Sequence, residues 1–329
     1  MKTSINTIHG RRYLYASDSI FITRGKTVSM KKSLGPIEVL TNLSEKKREF
    51  ARFLMKEEAR MRTEHWKGQV KNPTFIKYIS IERIEELRTR LFRAKKEMGE
   101  FANGVMEMGF KVDFIYNSNR MEGSKLPREK VARDVQGESG KKSYEVSNTL
   151  KALSYVDYDF KFRPGNIVKL HKILLEHEPR ILGLRKEAVV VAESYVHDWQ
   201  TIRPELEDLC SWYEKERKTM YPPELAFDFY YRFERIHPFK DGNGRVGRLI
   251  MNRILKDHKY HPIIIWNKRR QAHLTAFSKR MEGRSEDYYK FMEEQFIKTH
   301  EIYLEKIEKA INYEVILNHF LSPSELSED

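Results

Sequence analysis

The stretch His237-Pro238-Phe239-Lys240-Asp241-Gly242-Asn243-Gly244-Arg245-Val246-Gly247-Arg248 restricts the fold more than any other part of the chain. Two glycines flank an asparagine, and from Arg245 to Leu255 apolar residues then recur at helical spacing. A loop that admits positive φ and leaves no Cβ in the way therefore opens a helix. The backbone N–H groups at such a start attract anions. Arg245 and Arg248, three residues apart, share a helix face and offer forked donors to adjacent phosphates. Asp241 beside a polyphosphate is a natural Mg²⁺ ligand, since that ion favours one or two carboxylates plus phosphate oxygens. His237, just before the loop, can take a proton near neutral pH. The residues by themselves describe a base beside a metal-bound polyphosphate.

The same stretch resembles the Fic family signature, H-x-F-x-D/E-G-N-G-R-x-x-R, with every specified position filled. The resemblance implies a mainly α fold: a Fic-type helical bundle with a short β-hairpin flap, here preceded by a small N-terminal β-hairpin and a helical segment. It also implies transfer of AMP from ATP to a Ser, Thr or Tyr hydroxyl of a protein target. On that basis His237 is the base, Asp241 the Mg²⁺ ligand, and Gly242, Asn243 and Gly244 the anion hole. Arg245 goes to the phosphates and Arg248 to the γ-phosphate, while Phe239 turns into the core and holds the loop.

Upstream, Asn117-Ser118-Asn119-Arg120-Met121-Glu122-Gly123 resembles the Fic inhibitory motif, S/T-x-x-x-E-G/N. Ser118 lies four residues before Glu122 and so shares its helix face, and Gly123 suits a helix C-terminus. The resemblance pairs Glu122 with Arg248 where the γ-phosphate would sit. A carboxylate on an arginine competes with phosphate for the same donors. In some relatives the same glutamate orients a water for AMP removal, and that reverse reaction stays open here. Departures from the family lie downstream. Arg270-Gln271-Ala272-His273-Leu274 and Met281 stand where tyrosines and an asparagine commonly line the adenine pocket, leaving His273 to stack on a base. The flap shows Val196-His197-Asp198-Trp199 in place of a proline run, and Trp199 either contacts a ligand or seals the hairpin.

At 329 residues with 40% hydrophobic and 12% aromatic side chains, the chain belongs with folded proteins. No stretch approaches about eighteen uncharged apolar residues, which argues against a membrane-spanning helix. The first residues lack the apolar run of a signal peptide, and Cys210 is the only cysteine, so a cytoplasmic setting is expected. Cys210 falls in an amphipathic helix and reads as a packing residue. The net charge of +13 admits nucleic acid as a further partner. The basic residues of 88–96 lie on a predicted helix close to glutamates, the pattern of a solvated face. A different class of function therefore stands beside the transferase: a nucleotide-sensing regulator or interaction protein that binds DNA or a partner through its basic N-terminal region.

Four regions are expected. Residues 1–38 form a basic β-hairpin module and 39–104 a helical region. The catalytic domain occupies 105–300, and 301–329 a C-terminal helix with a frayed tail. Ser80 caps a long helix predicted to run past Phe101, with Ile84, Leu87, Leu91, Ala94, Met98 and Phe101 as one stripe. That stripe packs on the preceding helix or pairs two chains as a homodimer. His171, set among apolar neighbours, reads as structural. Val189-Val190-Val191 and Tyr195-Val196-His197 form the flap, an edge to which a target segment adds as a strand.

Overall fold

The structure is a computed structural model and describes residues 1–321, except 24, 71, 189, 192, 193, 196 and 197. The tail 322–329 and the flap residues Val189, Val196 and His197 thus lie outside the described residues. The fold is mainly helical, as expected, with a small antiparallel sheet at its start.

That sheet has three strands in the order β1 (Lys2–Ile8), β2 (Arg11–Thr23) and β3 (Lys26–Pro36), not the two of a hairpin. Every residue of β1 is exposed, so its sequence carries no burial pattern that would have announced it. β2 pairs with β3 from Tyr13↔Pro36 to Thr23↔Lys26, and Gly25 at φ +85° turns the chain between them. Ala16, Ile20, Ile22 and Leu34 of the sheet are buried against Phe50 and Leu54 of α1 (Leu43–Lys67). The hairpin module therefore packs on its own helix.

A short α2 (Pro73–Tyr78) follows, and Ser80 caps α3 (Ile81–Glu97) by accepting from the Arg83 N–H at 3.2 Å. The long helix predicted here breaks at Met98-Gly99, and α4 (Glu100–Met121) begins beyond it. Asn103 Nδ2 lies 3.1 Å from the carbonyls of Lys95 and Met98, answering acceptors at the break, and 3.2 Å from that of Gly99, which also accepts from the Asn103 backbone N–H. The apolar stripe is buried through Met98 and then lost, for Phe101 is 85% exposed. Arg88 and Arg93 also turn inward, onto Glu58 of α1. Part of the basic run is thus structural rather than a surface for nucleic acid.

The remaining helices are α5 (Arg128–Gln136), α6 (Tyr144–Tyr158), α7 (Pro164–Leu174), α8 (Ile202–Glu216), α9 (Pro222–Ile236), α10 (Asn243–Asp257), α11 (Arg270–Met281) and α12 (Ser285–Leu321). α12 crosses residue 300 without a break, so that boundary marks no structural division. Between α7 and α8, β4 (Val190–Val191) and β5 (Ser194–Tyr195) pair antiparallel, the described part of the flap. Central helices α9 and α10 bury residues on nearly every side. They approach so closely at Gly247 that a Cβ there would meet Tyr230 at 2.8 Å. His171 is fully buried, as expected, and Cys210 is buried too, its thiol pushed up to about 12 by desolvation. No described helix is long and apolar enough to cross a membrane.

Candidate active site

The loop joining α9 to α10 carries the signature, and its shape follows from a few contacts. His237 ends α9 in the left-handed region, φ 48° and ψ 60°, a conformation uncommon for a side-chain-bearing residue. Phe239 is fully buried and stacks on His171 with ring centroids 3.8 Å apart, while His171 Nε2 lies 3.0 Å from the Asp241 carbonyl. Gly242, at φ +83°, stands before the first turn of α10, where a Cβ would meet Leu175 at 2.9 Å. Only glycine fits there without displacement.

Asn243 has a structural part beside the anion-hole role expected of it. Its side chain is buried and braces the loop, Oδ1 accepting from the Phe239 N–H at 3.0 Å and Nδ2 donating to the Phe239 carbonyl at 2.8 Å. What it can give an anion is therefore its backbone N–H at the start of α10. His273 differs from expectation. It is 5% exposed, turned to Tyr230 with Nε2 3.2 Å from the hydroxyl, and burial drops its pKa to about 3. It belongs to the packing behind the site and presents no open face to a base. Met281 packs against the same core, and Trp199 is exposed.

Asp241 is half-exposed. One carboxylate oxygen accepts from the Gly242 N–H at 2.6 Å and the other from Arg245 Nη2 at 2.7 Å. No group of three or more His, Cys, Asp or Glu side chains suited to a metal occurs among the described residues. A lone carboxylate at the mouth of an anion-binding helix suits Mg²⁺ held mainly by phosphate oxygens, and does not suit an ion held by protein alone.

Arg248 is buried and gripped from α4 by three acceptors. Nε donates to Ser118 Oγ at 3.0 Å, and Nη2 to the Ser118 carbonyl at 3.0 Å and to Glu122 Oε1 at 2.6 Å. The carboxylate lies directly over Gly244, where an added Cβ would come within 2.3 Å of Oε1. Glu122 thus puts a negative charge on the N-terminus of α10, where a phosphate would bind. Burial works to raise the Glu122 pKa, yet the Arg248, Arg245 and Arg270 guanidinium groups hold it below the ordinary carboxylate range. Gly123, at φ +95°, turns the chain out of the helix. A hollow of about 470 Å³ opens beside it, lined by Arg120, Met121, Glu122, Lys125 and Arg270.

Burial drops the His237 pKa to about 4, with Arg185 adding to the effect and the Glu234 carbonyl opposing it. The imidazole is therefore neutral at physiological pH and able to accept a proton. Two nearby residues escaped the sequence reading. Glu234, one turn before His237, has its carboxyl pushed up to about 8 by burial and by Glu122, so near neutrality it is mostly protonated and does not compete for Arg248. Arg185 is buried against the carbonyl end of α9. Neither lies in a motif, and a solitary Glu or Arg carries no spacing signal.

Comparison with known proteins finds similarity in sequence and in fold. Residues 161–255 match the model of the Fic/DOC family. A protein adenylyltransferase Fic from Nematostella vectensis is 26% identical over 238 residues, 68% of this chain and 55% of that protein. Its namesake from Drosophila melanogaster is 25% identical over 237 residues, 68% of this chain and 48% of that one. The chain thus spans about half the length of the curated relatives it matches. The fold matches a Fic domain containing signaling protein from Bacteroides thetaiotaomicron, with a TM-score of 0.61 at 21% identity, covering 69% of this chain and 97% of that one. It also matches Fic-1, residues 134–508, from C. elegans, with a TM-score of 0.59 at 18% identity, covering 69% and 73%. The chain thus has the fold of these Fic proteins, and its residues 161–255 are similar to the Fic/DOC family.

Proposed function

We propose that the protein is an adenylyltransferase that moves AMP from ATP to a Ser, Thr or Tyr hydroxyl of a protein, and that Glu122 restrains it. The observation that carries this reading is the Glu122 carboxylate, paired with Arg248 at 2.6 Å over the first turn of α10. A carboxylate at that point mimics the anion the site is shaped to hold.

Once Glu122 swings away, Arg248 is free to take the γ-phosphate, and Arg245 with the amides of Gly242 to Gly244 takes the neighbouring phosphates. His237 accepts the proton of the target hydroxyl as that oxygen bonds to the α-phosphorus. The bond from the α-phosphorus to the bridging oxygen breaks, and pyrophosphate leaves. Asp241 would hold Mg²⁺, whose charge offsets that of the phosphates. The flap strands β4 and β5 offer the edge on which a target segment would lie.

Intact-mass measurement with Mg²⁺-ATP tests the reading in wild type, Glu122→Gly and Glu122→Gly/His237→Ala, with self-modification as the readout and candidate substrates as a second. A gain of one AMP that is strong in Glu122→Gly and lost in the double variant is expected. No gain in Glu122→Gly, with ATP binding confirmed, would overturn the assignment and favour a nucleotide-sensing regulator.

A further inference from the structure

Arg185 follows α7 and precedes the flap, in no recognised motif. Its side chain is 4% exposed and spans the end of α9. Nε donates to the His237 carbonyl at 2.7 Å, Nη2 to the Ile236 carbonyl at 3.3 Å, and Nη1 to the Glu187 carbonyl at 2.8 Å. Its backbone N–H donates to the Pro238 carbonyl at 2.9 Å, and the preceding residue, Leu184, forms an antiparallel bridge with Phe239. Three successive carbonyls, 236 to 238, thus take their partners from one residue.

The last carbonyls of any helix lack internal partners, and a cation there also meets the negative end of the helix dipole. Here the helix ends on His237 in the left-handed region, a conformation that persists only where the surroundings impose it. The planar guanidinium reaches several acceptors in fixed directions at once, which a lysine ammonium cannot do. The other charged groups around the imidazole are Glu122 from α4 and Asp241 from the loop. Neither constrains the backbone that aims the ring.

We propose that Arg185 is a positioning residue: it fixes the turn that aims His237 at the target hydroxyl and joins that turn to the segment leading into the flap. The inference rests on the transferase reading above. It implies that the flap and the base keep a common register, because Arg185 touches both Glu187 and His237.

The test places Arg185→Lys and Arg185→Ala in the Glu122→Gly background and measures AMP transfer, melting temperature and the rate at which diethyl pyrocarbonate modifies His237. Misplacement of a reacting group by about 1 Å costs on the order of 10²-fold in rate. A fall of about that size in kcat is expected for Arg185→Lys, with little change in the KM for ATP and melting close to the parent. Sub-denaturing guanidinium should restore part of the rate in Arg185→Ala, and His237 should be modified several-fold faster in both variants. An undiminished kcat in Arg185→Lys would overturn the proposal. So would a loss expressed only in KM, or an absence of guanidinium rescue in a folded Arg185→Ala. If the Glu122→Gly parent itself transfers nothing, the transferase reading fails; His237 modification then decides the positioning role alone, an unchanged rate refuting it.

Discussion

Two buried arginines, each facing a glutamate, show how differently one chemical pair can be used. Arg62 of α1 meets Glu85 of α3, and Arg248 of α10 meets Glu122 at the end of α4. Glu85 has no exposed surface and also accepts from the Tyr221 and Tyr260 hydroxyls. Arg62 donates further to the Ile22 carbonyl of β2 and to Tyr260. That cluster ties the N-terminal sheet, two helices and the helical body together, and all its members are enclosed. Glu122 is 27% exposed, borders a hollow, and accepts one hydrogen bond, from Arg248. When it leaves, Arg248 still holds Ser118 by two bonds. The first pair can only be broken, whereas the second, on the proposed reading, would be exchanged for another anion.

Stability measurements should separate the pairs most widely. Removing one partner of an enclosed pair leaves a buried charge uncompensated, at about 3–5 kcal/mol. Glu85→Ala should lower the unfolding free energy by that much in urea titration. Glu122→Ala should cost less, about 1.5–3 kcal/mol, the range of one hydrogen bond to a charged group. Equal costs would abolish the distinction drawn between them.

Ligand linkage gives the next effect. If Glu122 competes with nucleotide, Mg²⁺-ATP at a hundredfold excess over its Kd should stabilise Glu122→Gly by about 2.7 kcal/mol. At the same ATP concentration the wild type should gain less, and the enclosed pair should play no part. Equal gains in melting temperature would show that Glu122 does not occupy the nucleotide's place.

The mildest probe is pH. Burial lowers His171 and His237 to about 4 and His273 and His300 to about 3. Their unfolded value is about 6.5. Below that value the unfolded chain takes up protons that the native state refuses, so stability present above pH 6.5 declines progressively towards 4. Glu122, held below the ordinary carboxylate range, stays ionised through most of that window. Denaturation midpoints should therefore fall while the Glu122–Arg248 pairing persists, as carboxylate infrared bands would report. Glu224 and Glu234, whose carboxyls burial pushes up to about 8, work in the opposite direction but are outnumbered below pH 6.5, so a profile flat from pH 6 to 5 would contradict the burial of these histidines.

The site was legible where chemistry imposes short spacing. Gly242, Gly244, Asp241, Arg245 and His237 must sit close together in sequence to shape one helix mouth, and Ser118 and Glu122 need only share one helix face. Arg185 and Glu234 reach the site through tertiary packing, which leaves no periodic trace. The brace that the Asn243 side chain forms with Phe239 was not legible, because a motif fixes residue type and not the direction of a side chain. In the fold, β1 escaped notice because all of it is solvated, and the break at Met98-Gly99 because the apolar spacing continues across it. His273 lies on the expected helix, but burial turned its ring inward.

The carboxylate at the end of α4 sits on a helix that is fixed a turn or two upstream. Asp113 binds Arg128, Tyr303 and Lys306, and Asn117 accepts from Asn267. Withdrawing Glu122 by sliding or tilting α4 would break all of these at once. Rotation of its own side chain breaks one bond. Rotamer changes of partly exposed residues take picoseconds to nanoseconds, far less than turnover requires. If Glu122 restrains the site as proposed, the restraint would act as an equilibrium between two occupants of a seat, renewed many times before each chemical event. Its strength would then be set by anion concentration and by whatever biases one rotamer, with no slow gate to open.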